Sequence, residues 1–138
     1  SDVSFFLGNH DAIVSGTGEH IEPIPASNMN LVIIIPKYAC QTEAVYSAFD
    51  ELGGGQLDES MVREGEIFND LALAACKIQP SLEKDMQQLC EITGKKIHLT
   101  GSGSAMFAIC DNEPEAKKIA KKIEENTDHV ALATQTYA

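Results

Sequence analysis

Positive charge is what this sequence has least of. Lysine and arginine number 10 against 21 aspartates and glutamates, a formal net charge of −11. Nucleic acids and anionic membranes are bound through clustered cations, so a surface of this sign argues against both as partners. The same shortage sits badly with a complete nucleotide site, where cations or N–H donors must offset phosphate charge. Four of the basic residues, Lys117, Lys118, Lys121 and Lys122, fall on one late helical segment with no glycine loop beside them. They read as a solvated helix face.

Other absences narrow the class. No apolar run approaches the roughly 20 residues that span a bilayer. No basic stretch followed by an apolar segment opens the chain, so no secretory signal is visible; if the chain continues upstream, that says nothing of the whole. The four cysteines, Cys40, Cys76, Cys90 and Cys110, include no C-x-x-C pair. They read as small buried hydrophobes of a reducing, cytoplasmic compartment rather than as a disulfide or zinc set. His10, His20, His98 and His129 are scattered, none paired at i,i+4, so no metal site is expected from them. Neither G-x-x-x-x-G-K-[ST] nor G-x-G-x-x-G occurs.

What remains is an ordinary globular chain of 138 residues, 43% hydrophobic, long enough to bury roughly two thirds of its unfolded surface. The segment from Asp2 to Leu7 is apolar enough to open a helix. Ala12–Ser15 and 20–24 flank Gly16-Thr17-Gly18-Glu19, a hairpin signal, and Pro23, Pro25 and Ala26-Ser27-Asn28 mark a seam. Leu31–Ile35 is a β-branched run that reads as a central strand buried on both faces. Thr42 is the expected cap of a helix carrying Val45, Phe49 and Leu52, stopped by Gly53-Gly54-Gly55. Residues 53–66 read as a loop. Asn69 is the expected cap of a short helix through Cys76, and Pro80 opens another that Gly94 stops. Strands are expected over 96–99 and 105–110, a helix capped by Asn112 over 113–125, and a last strand over 130–134. From residue 31 the order is β-α-α-α-β-β-α-β, the pattern of a ferredoxin-like split β-α-β sandwich in the α+β class.

Two places carry chemistry. The turn Thr100-Gly101-Ser102-Gly103-Ser104 reads either as a flexible hairpin whose glycines serve only geometry, or as a nest of N–H groups that holds an anion. Asp2 reads either as a helix cap or as a carboxylate that accepts a proton from a substrate hydroxyl.

Five segments in order resemble the C-terminal half of the GHMP superfamily of small-molecule kinases: Ser1-Asp2-Val3-Ser4-Phe5-Phe6, Gly16-Thr17-Gly18-Glu19, Thr42-Glu43-Ala44-Val45-Tyr46, Asn69-Asp70-Leu71 and Leu99–Ser104. Within it they are most similar to the members that act on 4-diphosphocytidyl-2-C-methyl-D-erythritol in non-mevalonate isoprenoid synthesis. Ser4 stands where that family usually has proline. The resemblance implies transfer of the γ-phosphate of ATP, with Mg2+, to the 2-hydroxyl of that small molecule. It assigns Asp2 as catalytic base and Thr100, Gly101, Ser102 and Gly103 as the loop over the phosphate and substrate. It divides the chain into 1–26, a remnant of the N-terminal kinase domain, and 27–138, the C-terminal domain.

The family's glycine-serine loop for ATP phosphates and the lysine that partners the aspartate have no counterpart, and Lys37 follows the central strand rather than replacing it. The chain alone is therefore expected to be inactive, and its hairpin to self-associate or be disordered. The alternatives are a piece of a homoserine- or mevalonate-type kinase, and a non-catalytic ferredoxin-like binding or dimerisation module.

Overall fold

A computed structural model describes Phe5 and residues 11–25, 27–55, 59–63 and 65–136. It divides into one unit of residues 1–29 with 135–138 and a second of residues 30–134. Of the expected N-terminal helix only Phe5 is described, and it is helical.

In the first unit, strands β1 (Ala12–Ser15) and β2 (His20–Pro23) pair antiparallel, Ser15 opposite His20. The turn between them needs glycine where φ is positive, at Gly16 and Gly18. Glu19 folds back so that its carboxylate accepts from the Thr17 N–H and hydroxyl. Its own backbone N–H, then Thr17, holds that carboxyl below the usual range. The proline-flanked seam is tied down by a residue far along the chain. Thr136 donates its N–H to Met29 O at 2.9 Å, and its hydroxyl accepts from the Met29 N–H at 2.8 Å.

The second unit contains strands β3 (Asn30–Ile35), β4 (His98–Leu99), β5 (Met106–Cys110) and β6 (Val130–Gln135), the last extending into the first unit. Helices α1 (Thr42–Glu51), α2 (Glu59–Arg63), α3 (Ala72–Ile78) and α4 (Pro80–Thr93) separate β3 from β4, and α5 (Glu113–Asn126) separates β5 from β6. The sheet order is β4-β5-β3-β6. Each helical crossover therefore joins strands with one other strand between them, the split β-α-β arrangement. β5 runs antiparallel to both β3 and β4.

One expectation fails at β3. Val32 and Ile34 are buried, but Leu31 and Ile33 are only half-buried and Ile35 is 43% exposed. The helices cover a single face, so the run alternates as antiparallel strands do and is not sealed on both sides. β5 alternates likewise, with Met106, Ala108 and Cys110 inward. Those side chains meet Val45, Ala48, Leu82, Leu89, Ile119 and Ile123 from the helices in one core.

Helix ends follow local rules with three corrections, one of them at the start of α3, where Leu71 and not Asn69 is the N-cap. Thr42 is the first helical residue and does not cap α1, whose N-cap Gln41 makes no side-chain bond. Glu59–Arg63 forms a short helix inside the expected loop. Elsewhere the signals hold: Gly53 and Gly54 turn left-handed after α1, Gly94 does so after α4, and Asn112 accepts the Glu115 N–H at 2.9 Å. Lys117, Lys118, Lys121 and Lys122 are exposed on α5. Cys40 and Cys110 are buried and Cys76 is half-buried, whereas Cys90 is exposed on α4, against the expectation that all four are buried.

His98 faces Phe107 across the β4–β5 ladder, the rings stacked with centroids 5.2 Å apart. Burial, and then the charge of Lys96, pushes its imidazole below the ordinary histidine range. The unfolded chain therefore binds this proton more readily than the folded one. Stability from this group is complete above the ordinary histidine pKa and is lost as pH falls through it. Urea midpoints at pH 7.5 and 5.5 should show a decline in the wild type that His98→Phe reduces; an identical decline in both refutes the assignment.

Candidate functional site

The turn between β4 and β5 is a built structure, held from three sides. Within it the Thr100 N–H donates to Ala105 O, and the Gly103 N–H to Thr100 O, each at 3.0 Å. Gly101 has φ 54° and Gly103 φ 80°, values that favour glycine. A Cβ at Gly103 would sit 3.1 Å from Leu99 Cδ1 and 3.3 Å from Cys40 Sγ, so the backbone approaches the core closely there.

The first clamp comes from Asn69, just before α3. Its Nδ2 donates to Leu99 O and to Gly101 O, both at 2.9 Å, while its Oδ1 accepts the Leu71 N–H at 3.0 Å. Against expectation Asn69 is not the cap of α3, whose N-cap is Leu71 with no side-chain cap bond; it holds the Leu71 N–H just ahead of the helix and reaches the turn. The second clamp is the Thr42 hydroxyl, 3.0 Å from the Ser102 hydroxyl. The third is Ser104, whose hydroxyl donates to Tyr38 O at 2.5 Å.

Behind the third clamp lies a polar chain that sequence patterns did not reveal. Tyr38 donates its phenol to Asp85 Oδ2 at 2.5 Å, and His129 Nε2 lies 3.3 Å from the same oxygen. Burial first, and Asp85 second, pushes the Tyr38 phenol well above its usual range. The tyrosine is thereby kept protonated as a donor.

With these bonds assigned, the amides of Gly101, Ser102 and Ser104 donate to no group among the described residues. Three N–H groups without a described partner, with the Ser102 and Thr42 hydroxyls beside them, suit an anion. Of the expected site residues, the structure places Thr100, Gly101, Ser102 and Gly103 together in this turn. Asp2 lies outside the described residues. Among those described, no group of three histidine, cysteine or carboxylate side chains is arranged to hold a metal ion. No described helix is long and apolar enough to cross a membrane. A separate cavity of about 850 Å³ opens among α1, α3 and α4, walled by Leu52, Leu73, Met86 and Ile97, and takes no residue from the turn.

Comparison with known proteins gives the family. Residues 56–129 match the family model described as GHMP kinases C terminal. The 4-diphosphocytidyl-2-C-methyl-D-erythritol kinase of Desulfitobacterium hafniense is 32% identical over 144 residues, covering 94% of this chain and 50% of that protein. The enzyme of the same name from Geotalea daltonii is 28% identical over 145 residues, covering 99% and 51%. The chain thus spans about half the length of the curated relatives it matches. In fold it is similar to a crystal structure of 4-(cytidine 5'-diphospho)-2C-methyl-D-erythritol kinase, with TM-score 0.77 and 24% identity, over 98% of this chain and 53% of that one. The homoserine kinase of Cytophaga hutchinsonii shares the fold at TM-score 0.50 and 16% identity, over 85% and 45%. The chain belongs to the GHMP kinase family, and residues 56–129 match its C-terminal domain.

Proposed function

We propose that this chain is the C-terminal half of an ATP-dependent kinase that phosphorylates the 2-hydroxyl of 4-diphosphocytidyl-2-C-methyl-D-erythritol. The observation that carries the reading is the clamped turn at Thr100–Ser104, in a chain whose relatives bear that enzyme's name. Phosphoryl transfer asks little covalent chemistry of a protein; it asks for position and for compensation of charge. The Gly101, Ser102 and Ser104 amides supply compensation without cations, which suits a chain of net charge −11. Asp2 is assigned the role of base, accepting the proton of the attacking hydroxyl, and Thr100, Gly101, Ser102 and Gly103 form the loop over the phosphate.

ATP fits this assignment only in part: the turn can meet a phosphate, but no described residue cradles a triphosphate. The described residues do not fit Mg2+, since no three of their histidine, cysteine or carboxylate side chains are grouped to hold it. The cytoplasmic assignment rests on the absence of a disulfide or zinc pattern among the cysteines. The reading of self-association through the hairpin rests on β1 and β2, whose outer edges pair with no third strand among the described residues.

The test is ADP release from ATP with 4-diphosphocytidyl-2-C-methyl-D-erythritol, homoserine or mevalonate as acceptor. It is run on the 138-residue chain and on its gene product extended to the length of the relatives. Turnover of the cytidyl substrate by the extended protein, with none by the chain alone, is expected. Preference for homoserine or mevalonate, or no turnover by the extended protein, overturns the reading. Sedimentation of the short chain reports self-association in the same samples, and a monomer there removes that part.

A further inference from the structure

We propose that Asn69 is the positioning residue that aims the Ser102 N–H into the site, an inference that rests on the phosphate reading of the turn. A carboxamide has one acceptor oxygen and two donor hydrogens. Asn69 uses both ends, the oxygen on Leu71 N–H and the nitrogen on the carbonyls of Leu99 and Gly101. The bond to Gly101 matters most. In a trans peptide the C=O and the following N–H point in opposite directions. Holding Gly101 O toward Asn69 therefore turns the Ser102 N–H away from Asn69, where it donates to no described group.

Nothing else in the turn fixes that peptide so directly. Gly101 occupies positive φ, with Gly103 two residues on, and glycine crosses between left- and right-handed regions at little cost. Without the carboxamide the 101–102 peptide is free to rotate. A rotated peptide presents a carbonyl oxygen where the N–H stood, and a carbonyl repels phosphate. The Thr42–Ser102 hydroxyl contact steadies the side chain but leaves the peptide's own orientation open. Asn69 belongs to an Asn-Asp-Leu segment that closes against the turn across 30 residues of sequence.

The variant Asn69→Asp separates this role from the bond to the Leu71 N–H. Its carboxylate still accepts the Leu71 N–H, but its second oxygen faces two carbonyls and drives the peptide round. Asn69→Ala loses both functions. In the 138-residue chain, hydrogen exchange of the Thr100 and Gly103 amides should accelerate about tenfold or more in Asn69→Asp. The Val32 and Ile34 amides and the melting temperature should stay near wild type, whereas Asn69→Ala should also melt lower.

In the extended protein Asn69→Asp should lower kcat on the order of 10²-fold, with KM for the acceptor little changed. Wild-type exchange rates in Asn69→Asp, or an unchanged kcat, overturn the proposal. A fall in KM-dependent binding alone also overturns it. Whether the wild-type extended protein turns over at all decides the kinase reading separately, so the two failures cannot be confused.

Discussion

Truncating Ile34 to alanine should cost the chain roughly 2–5 kcal/mol of unfolding free energy, with a fall in Tm of about 10 °C. Ile34 is fully buried in β3, opposite Met106 in the β5 register, and under the helices that form the core. Removing its methylenes leaves a cavity between sheet and helices that close packing prevents from collapsing. The neighbour supplies the control. Ile35 is 43% exposed on the opposite face, and Ile35→Ala should cost under about 1 kcal/mol. Urea unfolding of both variants checks the one-sided sheet as well as the magnitude. Equal losses at the two positions would mean that both faces are covered.

The second large effect is at Gly103. An alanine there keeps a positive φ of 80° at a cost of about 1–3 kcal/mol and brings its Cβ against Leu99 and Cys40, which are buried and cannot yield freely. The turn must shift, and the Ser102 and Ser104 amides shift with it. In the extended protein kcat should fall on the order of 10²-fold. Gly54→Ala is the matched control. Its φ is 86°, but a Cβ there meets nothing within 4 Å, so it should lose stability and keep kcat. Equal kcat for the two variants would show that the turn does not touch the reacting phosphate.

How much of this was legible in the residues depends on range. Elements set by neighbours were readable: Asn112 and Pro114 open α5, Pro80 and Gly94 bracket α4, and the strand-helix order names a split β-α-β unit. The β3 run misled, because Leu31–Ile35 has the composition of a strand sealed on both sides while the chain supplies helices to one side only. Thr42 misled in a similar way, its hydroxyl being engaged by Ser102 rather than by the start of its own helix.

The site itself was half legible. The Thr100–Ser104 turn stands out by its glycines, whereas Asn69, expected as a helix cap, serves the turn while Leu71 takes the cap position. That the same asparagine reaches Leu99 and Gly101, that Ser104 bonds Tyr38 O, and that Thr136 ties the proline seam are contacts between residues far apart in sequence. No local pattern encodes such partners, because polar side chains of this kind satisfy themselves equally well with water.

The placing of β3 at the centre of its sheet has a consequence for synthesis on the ribosome. Ile33 emerges well before its partner Phe107, which is made only after all the helices of the long crossover. At ordinary elongation rates the strand waits roughly 4–15 s with a greasy, unpaired edge in the open. During that interval the nascent protein is at its most vulnerable to tangling with its neighbours, and holding chaperones have their clearest target.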